Sequence, residues 1–134
     1  MVKLILVTHG NLAREMLNTA SQILGKQAEA IETLSVTTSS SIEQGAVELK
    51  KMIADATDGA IILTDIFGGS ATNIALKACQ DNSRCHVITG LNLSILLTAL
   101  NSRKKLNDKE LAEKIEADGK RAVINATELL IKGL

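Results

Sequence analysis

Proline, tryptophan and tyrosine are missing from this 134-residue sequence, phenylalanine occurs once and cysteine twice. With Phe67 as the sole aromatic residue, the chain lacks the stacking platforms that single-stranded nucleic acid and flavins usually exploit. Cys79 and Cys85 have no CxxC spacing and are too few for a disulfide framework or a zinc site, so they are expected to be buried or bystander thiols. An excess of charge is absent too: 15 basic and 15 acidic residues cancel. No global field therefore draws nucleic acid or anionic lipid. No apolar run approaches the roughly 20 residues that cross a bilayer, and the N-terminus reads as a strand rather than an export signal. A cytoplasmic location is expected.

What is present is an alternation of apolar runs and amphipathic stretches, with 46% hydrophobic and 22% charged residues, enough for one core spanning 1–134. Val2 to Thr8 is a β-branched and aliphatic run of the kind buried on both faces of a parallel sheet. Asn11 is placed to cap a helix with Leu12, Met16, Ala20, Ile23 and Leu24 on its apolar face and Gly25 at its end. A short strand follows at Ile31 to Val36. Ser40 and Glu43 have capping-box spacing ahead of Ile42, Ala46, Leu49 and Ile53. A second apolar run, Ala60 to Thr64, ends in Asp65 and a glycine loop before helical spacing resumes at Ala71 to Cys79. Cys85 to Thr89 reads as a fourth strand and Leu93 to Leu100 as a helix. Asn107 and Glu110 start a further helix, stopping near Gly119. The tail from Ala122 to Leu134 fits either an edge strand or a helix.

These elements predict an α/β three-layer sandwich: a mainly parallel four-stranded sheet in the order 2-1-3-4, with helices on both faces. That order has a switch point between strands one and three, and ligands of such sheets bind at the strands' carboxyl ends there. His9 and Asp65 are the residues at that point. A carboxylate that accepts one imidazole N–H fixes the tautomer and leaves the other nitrogen's lone pair outward, able to attack phosphorus. The charge then placed on the ring needs N–H donors, which Gly68, Gly69 and Ser70 offer at the start of a helix, with hydroxyls from Ser70 and Thr8 beside them. Each residue alone has an ordinary reading: a histidine after a strand is more often a turn residue, and an aspartate before Gly-Gly more often a cap. Their juxtaposition decides between the two. His86, within the fourth strand, reads as structural, and Arg103, Lys104 and Lys105 as a solvated basic helix end. One candidate histidine and one aspartate fall short of the ligands zinc takes, so no metal or other cofactor is expected.

The segments THGNLAREML (8–17), TDIFGGSATNIA (64–75) and TGLNLSILLTAL (89–100) closely resemble the mannose-family enzyme IIA domains of the bacterial sugar phosphotransferase system. The resemblance runs from Val2 to about Gly119. It implies that His9 takes a phosphoryl group from the phosphocarrier protein HPr on its outer nitrogen, Nε2, and gives it to a IIB component that phosphorylates a sugar entering through a membrane permease. It further implies Asp65 as the partner of His9, the loop from Phe67 to Ser70 as the phosphate cradle, and a homodimer joined in part by an antiparallel fifth strand at the C-terminus, from residues 122–134. Ala71 departs from the proline that often follows GGS in the family. The absence of a fused IIB region implies a freestanding IIA protein. The phosphocarrier subunit of dihydroxyacetone kinase, which also uses a histidine after strand one, is the nearest alternative, although its glycine loop differs. Phosphoglycerate-mutase-like phosphatases resemble RHG where this chain has Thr8, and they need a second histidine at the site. No nucleic-acid partner is expected.

Overall fold

The run KLILVT has no polar alternation, and a strand of that kind is stable only with both faces covered. In the computed structural model, which describes residues 1–133, it forms β1 (Lys3–His9) at the interior of a four-stranded sheet, buried up to Thr8. β2 (Ile31–Val36), β3 (Ala60–Thr64) and β4 (Cys85–Ile88) complete an all-parallel sheet in the order β2-β1-β3-β4, as the alternation of elements predicted. Alternate residues of β1 serve opposite layers. Leu4 and Leu6 pack with Ile61 and Leu63 against α1 (Leu12–Leu24), α4 (Leu93–Ser102) and α5 (Asp108–Arg121). Ile5 and Val7 pack with Ile62 against α2 (Ile42–Ile53) and α3 (Ser70–Ala78). Each such side chain stabilises the fold by about 1.5–3 kcal/mol, so the central strands anchor whatever their carboxyl ends carry.

Register places the strand tips together. Val7 lies opposite Thr64 on β3, and His9 opposite Val36 on β2. Gly45 of α2 permits α3 to approach closely, because a Cβ there would meet Ile74 Cδ1 at 2.6 Å. Among the described residues, no helix is long and apolar enough to cross a membrane.

Several local expectations need correction. Leu12 and Ile23 are exposed, and the buried stripe of α1 instead runs through Ala13 and Ala20, with Met16, Leu17 and Leu24 against it. The N-cap of α2 is Ser41, whose hydroxyl accepts the Gln44 N–H, while Ser40 accepts the Thr37 N–H one turn earlier. The capping box of Asn107 and Glu110 is present, but α5 continues through Gly119 to Arg121. Arg103 is buried and donates to the Ala30 carbonyl, so it does not join Lys104 and Lys105 in a solvated cluster. Cys79 and Cys85 are joined in a disulfide rather than standing as separate thiols. The turn between α3 and β4 brings their Cα atoms to 5.4 Å. The tail forms α6 (Ala126–Ile131), capped by Asn125, and residue 134 lies outside the described residues. A strand there would need a ladder partner, whereas a helix satisfies its own backbone.

His86, read as structural, bonds through Nε2 to Asp108 at 2.7 Å, and Arg84 donates to the other oxygen of that carboxylate. This cluster sits at the beginning of β4 and of α5. Burial raises the Asp108 carboxyl, His86 and Arg84 lower it, and the net shift is downward.

Candidate functional site

β1 ends in a loop that its neighbours hold from both sides. Gly10, with φ of +55°, turns the chain where a side chain would be strained. Its N–H donates to the Val36 carbonyl and its own carbonyl accepts the Ser35 hydroxyl at 2.6 Å. Asn11 occupies the N-cap of α1 but makes no side-chain cap bond. That task falls to Thr8, fully buried, whose hydroxyl accepts the Ala13 N–H at 2.8 Å and approaches the His9 carbonyl at 3.3 Å. Thr8 was expected among the phosphate donors, but the structure turns it inward to start a helix. A buried hydroxyl whose single proton is directed at a backbone carbonyl has no donor left for a solvent-side phosphate.

His9 and Asp65 do meet. Asp65 Oδ2 accepts two N–H groups of His9, the backbone one and ring Nδ1, each at 2.9 Å, while Oδ1 accepts the Ile66 N–H at 2.9 Å. The histidine side chain is 44% exposed and the aspartate 8%. Ring and carboxylate therefore contact on the protein side, with the ring's far edge toward solvent. Burial pushes the Asp65 carboxyl up, but the backbone and ring donors of His9 and the Ile66 N–H together outweigh it and hold the carboxyl below its ordinary value. An ionised Asp65 accepting at Nδ1 requires the proton there, which leaves Nε2 as the unprotonated nitrogen of a neutral ring. The backbone of Asp65 is held from the other side as well: its carbonyl accepts the Gly90 N–H, and the Thr64 carbonyl accepts that of Leu91. The Gly90–Asn92 turn after β4 thus braces β3, and Asn92 itself caps α4.

The glycine loop approaches the imidazole at Cε1. Gly68 has φ of +84°, a conformation that side chains rarely adopt. Gly69 lies so close to the ring that a Cβ there would sit 3.2 Å from His9 Cε1. Its N–H is engaged with the Ile66 carbonyl. Gly69 is also the N-cap of α3, so no side chain caps that helix. Its first N–H groups therefore open beside His9, where the helix dipole favours an anion. Ser70, half-buried, is the first residue of α3, and the Phe67 side chain is 79% exposed. Sequence reasoning placed the loop but missed Ser35, Thr64 and Thr72, which hold it and the His9 loop from behind. For Thr64 the available signal was a hydroxyl at the end of an otherwise apolar strand.

Comparison with known proteins points the same way. The model of a family described as the fructose IIA component of the phosphotransferase system matches residues 3–116. A mannose-specific EIIAB component of that system from Escherichia coli strain K12 is 32% identical over an alignment covering 76% of this chain and 32% of that protein. This chain thus spans about a third of that relative. Among solved structures, a phosphotransferase system component EIIA from Streptococcus agalactiae superposes with a TM-score of 0.87 at 26% identity, covering 96% of this chain and 99% of the other. A mannose/sorbose-specific IIA subunit from Enterococcus faecalis does so with a TM-score of 0.82 at 30% identity, over 92% and 93% of the two chains.

Proposed function

Because the chain belongs to the IIA component family of the sugar phosphotransferase system, we propose that it is a phosphohistidine carrier, taking a phosphoryl group from phosphorylated HPr on Nε2 of His9 and passing it to a IIB component during sugar uptake. The role in that system follows from the family; the residues and partners are the proposal. The observation that carries it is the bond from His9 Nδ1 to the ionised Asp65 at 2.9 Å, beside a helix start with no side-chain cap.

The chemistry is a displacement at phosphorus. The Nε2 lone pair forms the new P–N bond as the bond to the donor's nitrogen breaks and that electron pair leaves with the donor ring. The proton on Nδ1 stays in place, and the positive charge that develops on the imidazole is offset by Asp65 at contact distance. Phosphoryl oxygens take N–H groups from the glycine loop and the first turn of α3, with the Ser70 hydroxyl beside them. Transfer to the IIB component is the same step in reverse. No metal is required, because charge neutralisation comes from N–H donors and the helix dipole.

The reading extends to assembly and place. The whole chain acts as one IIA domain in the cytoplasm and meets the membrane permease indirectly, through its IIB partner. It pairs with a second copy of itself. β4 is an edge strand, and a groove of about 450 Å³ beside it is lined by Phe67, Leu76, Val87 and Val123. Phe67, Leu76 and Val123 are all exposed, and exposed apolar side chains gathered in one groove mark a surface that another protein covers. Incubation with phosphorylated HPr, followed by intact mass, tests the central step: a gain of one phosphoryl group is expected, and an unlabelled protein would reject the reading.

A further inference from the structure

We infer that Thr72 acts through its side-chain hydroxyl as a positioning residue that fixes the Asp65 carboxylate and the glycine loop relative to His9; the inference rests on the phosphocarrier reading. Thr72 lies in the first turn of α3 and is 1% exposed. Its hydroxyl lies 2.6 Å from the Ile66 carbonyl and 2.7 Å from the Thr64 hydroxyl. A carbonyl carries no proton, so Thr72 must donate to Ile66. Its single proton is then used, and Thr64 must donate to Thr72. The order Thr64 hydroxyl to Thr72 hydroxyl to Ile66 carbonyl therefore comes from proton count alone.

Ile66 is the residue this order controls. Its N–H is held by Asp65 Oδ1 and its carbonyl by Thr72 and, at 3.3 Å, by the Gly69 N–H. Asp65 Oδ1 is anchored through Ile66, and that anchoring sets the plane of the carboxylate so that Oδ2 meets His9. The same carbonyl ties down Gly69, where a Cβ would sit 3.2 Å from His9 Cε1. One buried hydroxyl thus joins the element that orients the ring to the element that cradles the anion. Ile66 itself is exposed, so apolar packing of its side chain does not hold the segment.

The test compares Thr72→Val, which keeps the shape and removes the hydroxyl, with Thr72→Ser, which keeps the hydroxyl. Single-turnover labelling by phosphorylated HPr is expected to slow about 10-fold or more in T72V, the scale of a catalytic pair held out of line, and to stay within about twofold of the parent in T72S. Thr72→Ala removes the hydroxyl without pressing a methyl on the Ile66 carbonyl and is expected to match T72V, which keeps the test open if T72V folds poorly. Labelling of both hydroxyl-free variants at the parent rate would overturn the inference. Nitrogen NMR of His9 gives a readout independent of transfer: the neutral ring should hold its proton on Nδ1 in the parent and T72S, and populate both tautomers in T72V and T72A. Should the parent not be labelled at all, the phosphocarrier reading fails by itself, and the tautomer ratio decides the role of Thr72, an unchanged ratio overturning it.

Discussion

Replacing Asp65 by asparagine exchanges a carboxylate oxygen for an NH₂ group and removes one charge, and the geometry around it determines the cost. The carboxylate accepts three N–H groups, two on Oδ2 from His9 and one on Oδ1 from Ile66. An amide has only one accepting end. If its oxygen faces His9, the NH₂ opposes the Ile66 N–H; if its oxygen faces Ile66, the NH₂ opposes the backbone N–H of His9 and draws the Nδ1 lone pair inward. The second arrangement moves the ring proton to Nε2 and blocks the nucleophile. Either way one backbone donor loses its acceptor, and because both donors are open to solvent the cost is that of a net hydrogen bond, about 0.5–1.5 kcal/mol. The electrostatic partner of the phosphorylated ring disappears as well. Loss of tautomer control and of that charge is worth about 100-fold to 10,000-fold in rate. Rapid-quench labelling by phosphorylated HPr, with chemical denaturation of the same samples, measures both quantities. A variant that is labelled at the parent rate would refute the reasoning and leave Asp65 a simple cap for Ile66.

Gly69→Ala should slow labelling while preserving the fold, because a methyl 3.2 Å from His9 Cε1 displaces the ring by a few tenths of an ångström and the backbone there has negative φ; stopped-flow transfer and circular dichroism check the two halves. The stability difference between the parent and Asp65→Asn should be full at neutral pH and shrink in acid. The folded carboxyl lies below its ordinary value, so its contribution is present above the unfolded value and lost as pH falls through the folded one. Urea unfolding of both proteins across that range measures it, and a difference independent of pH would contradict it. Removal of residues 122–134 should convert a dimer to a monomer in light scattering; an unchanged dimer would place the contact elsewhere.

The sheet order and the meeting of His9 with Asp65 were legible because each rests on short-range patterning. Apolar runs without alternation mark strands covered on both faces, and parallel order then brings residues 9 and 65 to adjacent tips. Thr8 was misread for a physical reason: a hydroxyl beside a candidate nucleophile looks like a donor until the strand's pleat is known, and here the pleat buries it against the start of α1. Leu12 was assigned to a core-facing stripe because spacing defines a helical face only to within one residue's rotation, and Ala13 occupies that face instead. The cysteine pair and Arg103 depended on where turns send side chains, which spacing does not encode. The Thr64 and Thr72 hydroxyls belong to the same class: their roles exist only once β3 and α3 are brought together.

The most direct measurement is identification of the phosphorylated atom. After exposure to phosphorylated HPr under alkaline conditions that preserve phosphoramidates, peptide mapping and phosphorus–nitrogen NMR should place a single phosphoryl group on Nε2 of His9, and His9→Gln should take up none. A label on another residue, on Nδ1, or undiminished in His9→Gln would contradict the account.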